Sequence, residues 1–437
     1  MKKILTSAGL AAIGAVSLQA ATPLDRSYYA PNPGLTSQDR TKMWSVSASL
    51  RGFYDDNYFA APGKYIDAAG NTITPRSSFG FEFSPRAALN AKLEQTFIGL
   101  SYQYSLRWYE DRKKNSADHS HQADLDLEHS FSETLKLTAK DSFVISQEPT
   151  LLDPSLQTAP TTRRSNLDNL RNNADITMRA DISRLFSTSF GYANTLYDYS
   201  QSGAGSYSAL LDRMEHLAKV DFRWNALPTT VALIGYQYGI IDHSSKDSLS
   251  PVGPFVDPKT RDNRSHYIFA GVDQTFANQI LASVRVGAQI TEFPNALAGS
   301  QKDSTTPYAD ASLSYGYAQG STVLVGVRHA RNQTDVTYLN TLDQVTTTVY
   351  AMVNHQITPK LTGSLVGQLQ NSEFQGGQYK QTDDLYLIGL NFNYQINQYW
   401  GAELGYNFDR LDSDLNVGGV GRGFTRNRVF LGLRASY

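Results

Sequence analysis

The chain of 437 residues contains no cysteine. That excludes a disulfide framework, a lipid-attachment cysteine behind a leader, and thiolate metal sites. Beyond residue 20 it also lacks any run of the ~18 apolar residues that a membrane-crossing helix requires. An excess of one charge is missing too. Lys+Arg 39 stand against Asp+Glu 41, a formal net charge of -2, which argues against a nucleic-acid partner. Charged residues make up only 18% of the chain, whereas 11% is aromatic, with 26 tyrosines, 20 phenylalanines and 32 glycines. A disordered chain would not carry that aromatic content.

The first residues, "MKKILTSAGLAAIGAVSLQAATP", place Lys2 and Lys3 before an apolar stretch from Ile4 to Val16 and small residues around Ala20. This is the three-part pattern of a secretory signal peptide, with cleavage expected near Ala20. Residues 21–42 then form a short periplasmic segment, far too small for a plug domain, and residues 43–437 are left for the main body.

That body alternates with a period of two. "SVSASLRGFY" puts Val46, Ala48, Leu50, Gly52 and Tyr54 on one face and Ser45, Ser47, Ser49 and Arg51 on the other. "FIGLSYQYSLRWY" sets Ile98, Leu100, Tyr102, Tyr104, Leu106 and Trp108 against Gly99, Ser101, Gln103, Ser105 and Arg107. Side chains alternate in this way on strands, whereas helical spacing would mix Arg107 and Gln103 into the apolar stripe. About eighteen such runs follow one another, each near the ~9–11 residues a tilted strand needs to cross a bilayer. Short links such as "SET", "NALP" and "TPK" alternate with long polar ones such as "DDNYFAAPGKYIDAAGNTITPRS" and "DHSSKDSLSPVGPFVDPKTRDNRS". The expected fold is therefore all-β: an antiparallel transmembrane barrel of the bacterial outer membrane, with short periplasmic turns and long extracellular loops. The last residues, "RVFLGLRASY", keep the alternation to Tyr437, as they must if the last strand pairs with the first and leaves no edge in lipid.

If the apolar face meets lipid, the other face lines the lumen. That register points Arg51, Arg86, Arg107, Asp124, Asp126, Glu128, Lys140, Arg179, Arg285, Arg328, Glu403, Arg428 and Arg434 inward as candidate pore-lining residues. The apolar face is almost free of charge, Asp141 being the clearest exception. Arg428, Arg51, Arg86 and Arg107 fall on the last, first, second and third strands, which become neighbours on closure, and Asp124, Asp126 and Glu128 follow on the fourth. Two arrangements fit: a basic wall beside an acidic one, giving a transverse field, or charges paired with their neighbours. The stretch "SPVGPFVDP" in the longest loop is the candidate for an inward-folding constriction.

Catalytic and metal chemistry finds little support. "HSH" at residues 119–121 sets two histidines on one face and Ser120 on the other, with no third ligand in view. "DSDLNVG" at 412–418 resembles a calcium loop, but its glycine comes one residue late and Gly423 stands where a carboxylate is needed. "GGVGRG" at 418–423 opens no helix, so it cannot cradle phosphate as a P-loop does. No enzyme activity and no cofactor is expected.

The first strand ends "YDDNYF", with Tyr54, Asp55, Asp56 and Asn57 followed by an aromatic. This resembles the type 2 β-barrel porin family, some relatives of which accompany exopolysaccharide systems. The terminal aromatic Tyr437 resembles the signal that the barrel assembly machinery reads in outer-membrane barrels. The resemblance implies a cell outer-membrane protein surrounded by lipid, and leaves oligomerisation open. A lumen of this size suits passive diffusion of small polar or charged solutes. The alternatives are an outer-membrane component of polysaccharide export and a closed structural or adhesive barrel.

Overall fold

In a computed structural model, residues 42–63, 65–66, 72–113, 115–147, 168–251, 253–277, 279–334, 341–376, 381–414, 416–417 and 420–437 are described. The expected signal peptide and most of the 21–42 segment lie outside these residues, as do most of the loop after residue 147 and parts of "DSDLNVG" and "GGVGRG".

One 18-stranded antiparallel sheet closes on itself. In chain order its strands are β1 (Trp44–Asp55), β2 (Ser78–Lys92), β3 (Thr96–Tyr109), β4 (Ala117–Ser130), β5 (Leu135–Ser146), β6 (Asn169–Asp181), β7 (Phe186–Tyr199), β8 (Arg213–Leu227) and β9 (Thr230–His243). They continue as β10 (Asn263–Phe276), β11 (Ile280–Glu292), β12 (Asp303–Ala318), β13 (Ser321–Asn332), β14 (Asp343–Thr358), β15 (Leu361–Gln375), β16 (Thr382–Gln395), β17 (Trp400–Ser413) and β18 (Phe424–Ser436). Each strand pairs with the next, and β18 returns to β1 from Ser47↔Ser436 to Asp55↔Arg428. Tyr437 extends this seam, its N–H donating to the Val46 carbonyl at 2.9 Å and its ring lying 5.3 Å from that of Trp44.

Why the sequence closes rather than folding as a soluble sandwich is visible in what is exposed. Leu50 (54%), Phe79 (61%), Ile234 (62%) and Leu431 (65%) lie outward, while Arg51, Glu82, Gln103, Arg285 and Gln368 are buried. Apolar outside and polar inside is the reverse of a water-soluble core, and it is stable only where the solvent is hydrocarbon. Outward tyrosines bond outward histidines across strand pairs: Tyr102 to His121 at 2.8 Å, Tyr192 to His216 at 2.6 Å and Tyr236 to His266 at 2.8 Å. These amphipathic pairs suit a membrane interface. Asp141 is outward as expected, and Asn172 donates to it at 2.9 Å.

The tight turns follow from local chemistry. Ser132, Ser183, Thr358 and Asn397 each accept, through a side-chain oxygen, from the backbone N–H three residues on, at 3.0–3.1 Å. At 319–320 the turn needs Gly320, whose φ is +70°. On the opposite rim the loops are longer, and one contains the short helix α1 (Tyr207–Leu211).

Candidate functional site

The inner wall is where polar chemistry gathers. At the seam, Gly432 of β18 sits opposite both Arg51 of β1 and Glu403 of β17. A side chain there would press into Arg51, its Cβ lying 2.7 Å from Arg51 Cγ. With glycine in place, Arg51 crosses β18, and its Nε donates to Glu403 at 2.7 Å. Arg51 also reaches Glu82 at 3.4 Å, and Arg107 reaches the other Glu82 oxygen at 2.7 Å. Nearby, Arg428 pairs with Asp55 at 2.5 Å, and Arg426 with Asp409. The arginine-rich neighbourhood is therefore interleaved with carboxylates and is paired, not a bare basic wall. Ionised pairs enclosed in this way hold only while both partners remain.

The other half of the barrel has its own charged row. Lys219 bonds Asp175 at 2.5 Å, and Arg285 and Arg223 share Asp273 at 2.7 and 3.7 Å. Arg328 stands opposite Asp310 in the β12–β13 register. Asp124 accepts from Ser101, Gln122 and Ser142. Of the inward candidates, Arg51, Arg107, Asp126, Arg285, Glu403 and Arg428 are buried. Arg86, Asp124, Glu128, Lys140, Arg179, Arg328 and Arg434 are half-buried, and Arg179 pairs with Asp181 at the exposed end of that range.

The first extracellular loop folds into the barrel, which the sequence did not reveal. Tyr58 packs with Phe53, Tyr109 and Phe430, and Ala60 with Leu385, Leu387, Leu411 and Phe424, all on the inner wall. The "YDDNYF" residues hold it there. Asp55 takes Arg428, and Asp56 accepts from the Asn427 N–H at 2.6 Å and from its side chain at 2.7 Å. Asn57 donates to the Ala61 and Thr425 carbonyls and accepts from the Ala61 N–H. The motif is a clasp on the closing seam.

The stretch 250–258, expected to form a constriction, packs around α1. Val256 packs with Leu249, Leu210, Leu211 and Tyr199, Phe255 is 63% exposed, and Val252 lies outside the described residues. Tyr199 shares the inward parity of Tyr197, which stands opposite Arg213, so this cluster sits on the inner face at the extracellular end of β7. The buried part follows it: Arg261 donates to the Thr341 and Thr334 carbonyls at 3.0 and 3.2 Å, tying the β9–β10 loop to the β13–β14 loop. Beside α1, Asp212 accepts from Ser208 and from the Tyr199 N–H, and burial pushes its carboxyl up to about 6 despite those bonds.

The histidines of "HSH" are engaged outward, His119 with Tyr104 and His121 with Tyr102, both at 2.8 Å. Among the described residues, no group of three or more His, Asp or Glu side chains is placed to hold a metal ion.

A family model described as "Putative beta-barrel porin 2" matches residues 43–437. No curated protein matches the chain in sequence. Among solved structures, the outer membrane protein OpdK of Pseudomonas aeruginosa is similar at 12% identity, covering 90% of this chain and 99% of its own, with a TM-score of 0.43. A BenF-like porin from Pseudomonas fluorescens Pf-5 gives 11% identity, the same coverages and a TM-score of 0.48. OccAB3 of Acinetobacter baumannii gives 10%, again 90% and 99%, and 0.44.

Proposed function

Since the chain belongs to the β-barrel porin 2 family, matched from residue 43 to residue 437, we propose that it acts in the Gram-negative outer membrane as a channel for passive diffusion of small polar solutes. The observation that carries this reading is the closed 18-stranded sheet whose inner face is polar and whose outer face is apolar. Such a wall offers water and solutes hydrogen bonds along the whole crossing, and selection comes from width and lumen charge without covalent chemistry.

The half-buried charges Arg86, Asp124, Glu128, Lys140, Arg179, Arg328 and Arg434 are the side chains that solutes meet. The buried pairs around Arg51, Arg107, Arg285, Glu403 and Arg428 hold the wall and the inward loop in shape. Residues 1–20 direct export, and Tyr437 serves as the terminal assembly signal. No observation among the described residues favours polysaccharide export or a closed adhesive barrel. The test is current across a planar bilayer holding purified, folded protein, with reversal potentials in a salt gradient. Because acids and bases are interleaved, weak ion selectivity is expected; strong anion selectivity would contradict the paired arrangement.

A further inference from the structure

Asp310 lies midway along β12, with Arg285 of β11 opposite it on one side and Arg328 of β13 on the other. It bonds neither. Arg285 is committed to Asp273 at 2.7 Å and to the Val284 carbonyl at 3.0 Å. Among the described residues, Asp310 and Arg328 make no ion pair and no hydrogen bond, and Arg328 Nε is buried without a partner. Neighbouring charges on the inner wall are matched: Lys219 with Asp175, Arg223 with Asp273, and Arg331 with Asp343. Beyond β13 the wall turns neutral and offers no substitute. The inward positions of β14 from Gln344 to Gln356, and of β15 from Thr362 to Phe374, carry no charge. Opposite Arg328 on that side stands Thr348.

What surrounds Arg328 instead is aromatic. Besides Asp310, the ionisable groups around it are Tyr308, Tyr267 and Tyr350. Tyr308 is held with its ring 5.6 Å from that of Phe269 and 5.8 Å from that of Tyr267. The Tyr267 hydroxyl accepts from Gln289 at 3.0 Å, and Tyr350 lies across Gly326, in the space a side chain there would need. Neutral tyrosines frame the guanidinium without cancelling its charge. Arg328 and Asp310 are both half-buried, so each keeps part of its surface open to the lumen. A guanidinium and a carboxylate set apart in a partly enclosed wall lose hydration and gain no partner.

A solute with a single charge would satisfy one of the two groups and be repelled by the other. A solute carrying both signs satisfies both at once. We propose that Arg328 and Asp310 form a binding position for a zwitterionic solute, an α-amino acid in the chemical sense. Arg328 donates to its carboxylate, which the planar guanidinium fork fits, and Asp310 accepts from its ammonium. The inference rests on the reading of the barrel as a solute channel and names the class of solute.

The experiment is saturation-transfer NMR on the folded full chain in detergent, with L-glutamine as the probe. Its comparisons are glutaramate, which lacks the ammonium, and γ-aminobutyramide, which lacks the carboxylate. The same preparations are placed in planar bilayers to record current. Saturable transfer to L-glutamine is expected, and about tenfold weaker binding of either comparison, one charge-assisted hydrogen bond being worth roughly that factor or more. Arg328→Gln and Asp310→Asn should each weaken L-glutamine binding to a similar degree, in protein shown to be folded by its resistance to unfolding in detergent. The comparisons should move the other way, because each substitution removes a repulsion: Asp310→Asn strengthens glutaramate, and Arg328→Gln strengthens γ-aminobutyramide. No saturable transfer to L-glutamine from a barrel that conducts overturns the proposal, and so does transfer that survives both substitutions. Either comparison bound as strongly as L-glutamine overturns the zwitterionic class. A barrel that binds L-glutamine yet carries no current keeps the proposal and contradicts the open channel instead.

Discussion

Along the seam, Arg51, Glu82, Arg107 and Glu403 form one bonded chain, and Asp55 and Arg428 form another pair beside it. Along β14–β16, a few strands away on the same inner surface, Gln368, Ser364 and Gln370 present uncharged atoms that nothing bonds. Both walls are polar and both are buried, yet they treat polarity in opposite ways. The seam spends its polar groups on holding β18 to β1 and the first loop to both. Along β14–β16 the bonds join uncharged groups, as where Gln344 donates to the Gln333 carbonyl and Gln370 to Ser372. Polarity inside a barrel is thus of two kinds, carried by ion pairs at the seam and by uncharged groups along β14–β16.

Removing a partner should therefore have opposite effects on the two walls. Glu82→Leu removes the carboxylate that Arg51 and Arg107 share, leaving Arg51 its bond to Glu403, and breaking a buried ion pair from one side costs about 3–5 kcal/mol. Urea unfolding in detergent should show a loss of that size, and a loss near zero would mean that the seam network is not structural.

Asn57→Ala removes the bonds to Ala61 and Thr425 and should cost about 1–3 kcal/mol, the desolvation left on their buried partners. Its more telling effect is on the first loop: released from the inner wall, it should leave a wider passage, read as a higher single-channel conductance. Unchanged conductance would show that the loop stays in place without the clasp.

A third prediction concerns the extracellular rim, which belongs to neither wall. Asp212 is raised from 3.8 to about 6 chiefly by burial, with Asp198 and Asp247 adding to the rise and the bonds from Ser208 and Tyr199 opposing it. Its folded pKa lies above its unfolded one, so the native loop binds more protons across that interval. The packing of α1 is then firmest below about 4, weakens as pH rises towards 6, and changes no further above. Proteolysis within residues 200–212 should accelerate over that window in the wild type, and Asp212→Asn should flatten the dependence. A profile unaffected by Asp212→Asn would assign the titration to another group.

Gln368→Leu is the smallest change and the sharpest contrast. It replaces an unbonded buried amide by an apolar side chain of similar size, so stability should rise by about 1 kcal/mol. A loss comparable to that of Glu82→Leu would erase the distinction between the walls.

Much of this architecture is legible in the sequence because a barrel writes one face per alternate residue. The strand period, the number of strands, the alternation of short and long links and the final strand ending at Tyr437 all follow from it. Even "FGYANTLY" and "HLAKVDFRW", with little contrast between faces, lie within β7 and β8. Partners are harder to read. The inward direction of Arg51 is set by its own strand, but its bond to Glu403 crosses β18 and depends on Gly432 having no side chain, a relation spanning almost the whole chain. The inward first loop was hidden for a related reason: Tyr58 and Ala60 carry no periodicity, and their burial depends on Leu385, Leu411 and Phe424, far away in sequence. Asp409 and Arg426 lie at strand ends outside the inward set read from the sequence, and Asp55 stands out there only as part of "YDDNYF", although the three share parity with Glu403, Arg428 and Arg51. The neutral wall could have been found by asking which successive inward sets lack charge; a search for charged residues passes over it.

The central claim is that the polar interior conducts. Single-channel recording of the purified barrel, shown to be folded by its resistance to unfolding in detergent, tests it most directly. The account predicts stable current steps with weak ion selectivity, larger in the variant whose first loop is released. A folded barrel that stays silent, in both the wild type and that variant, would contradict it.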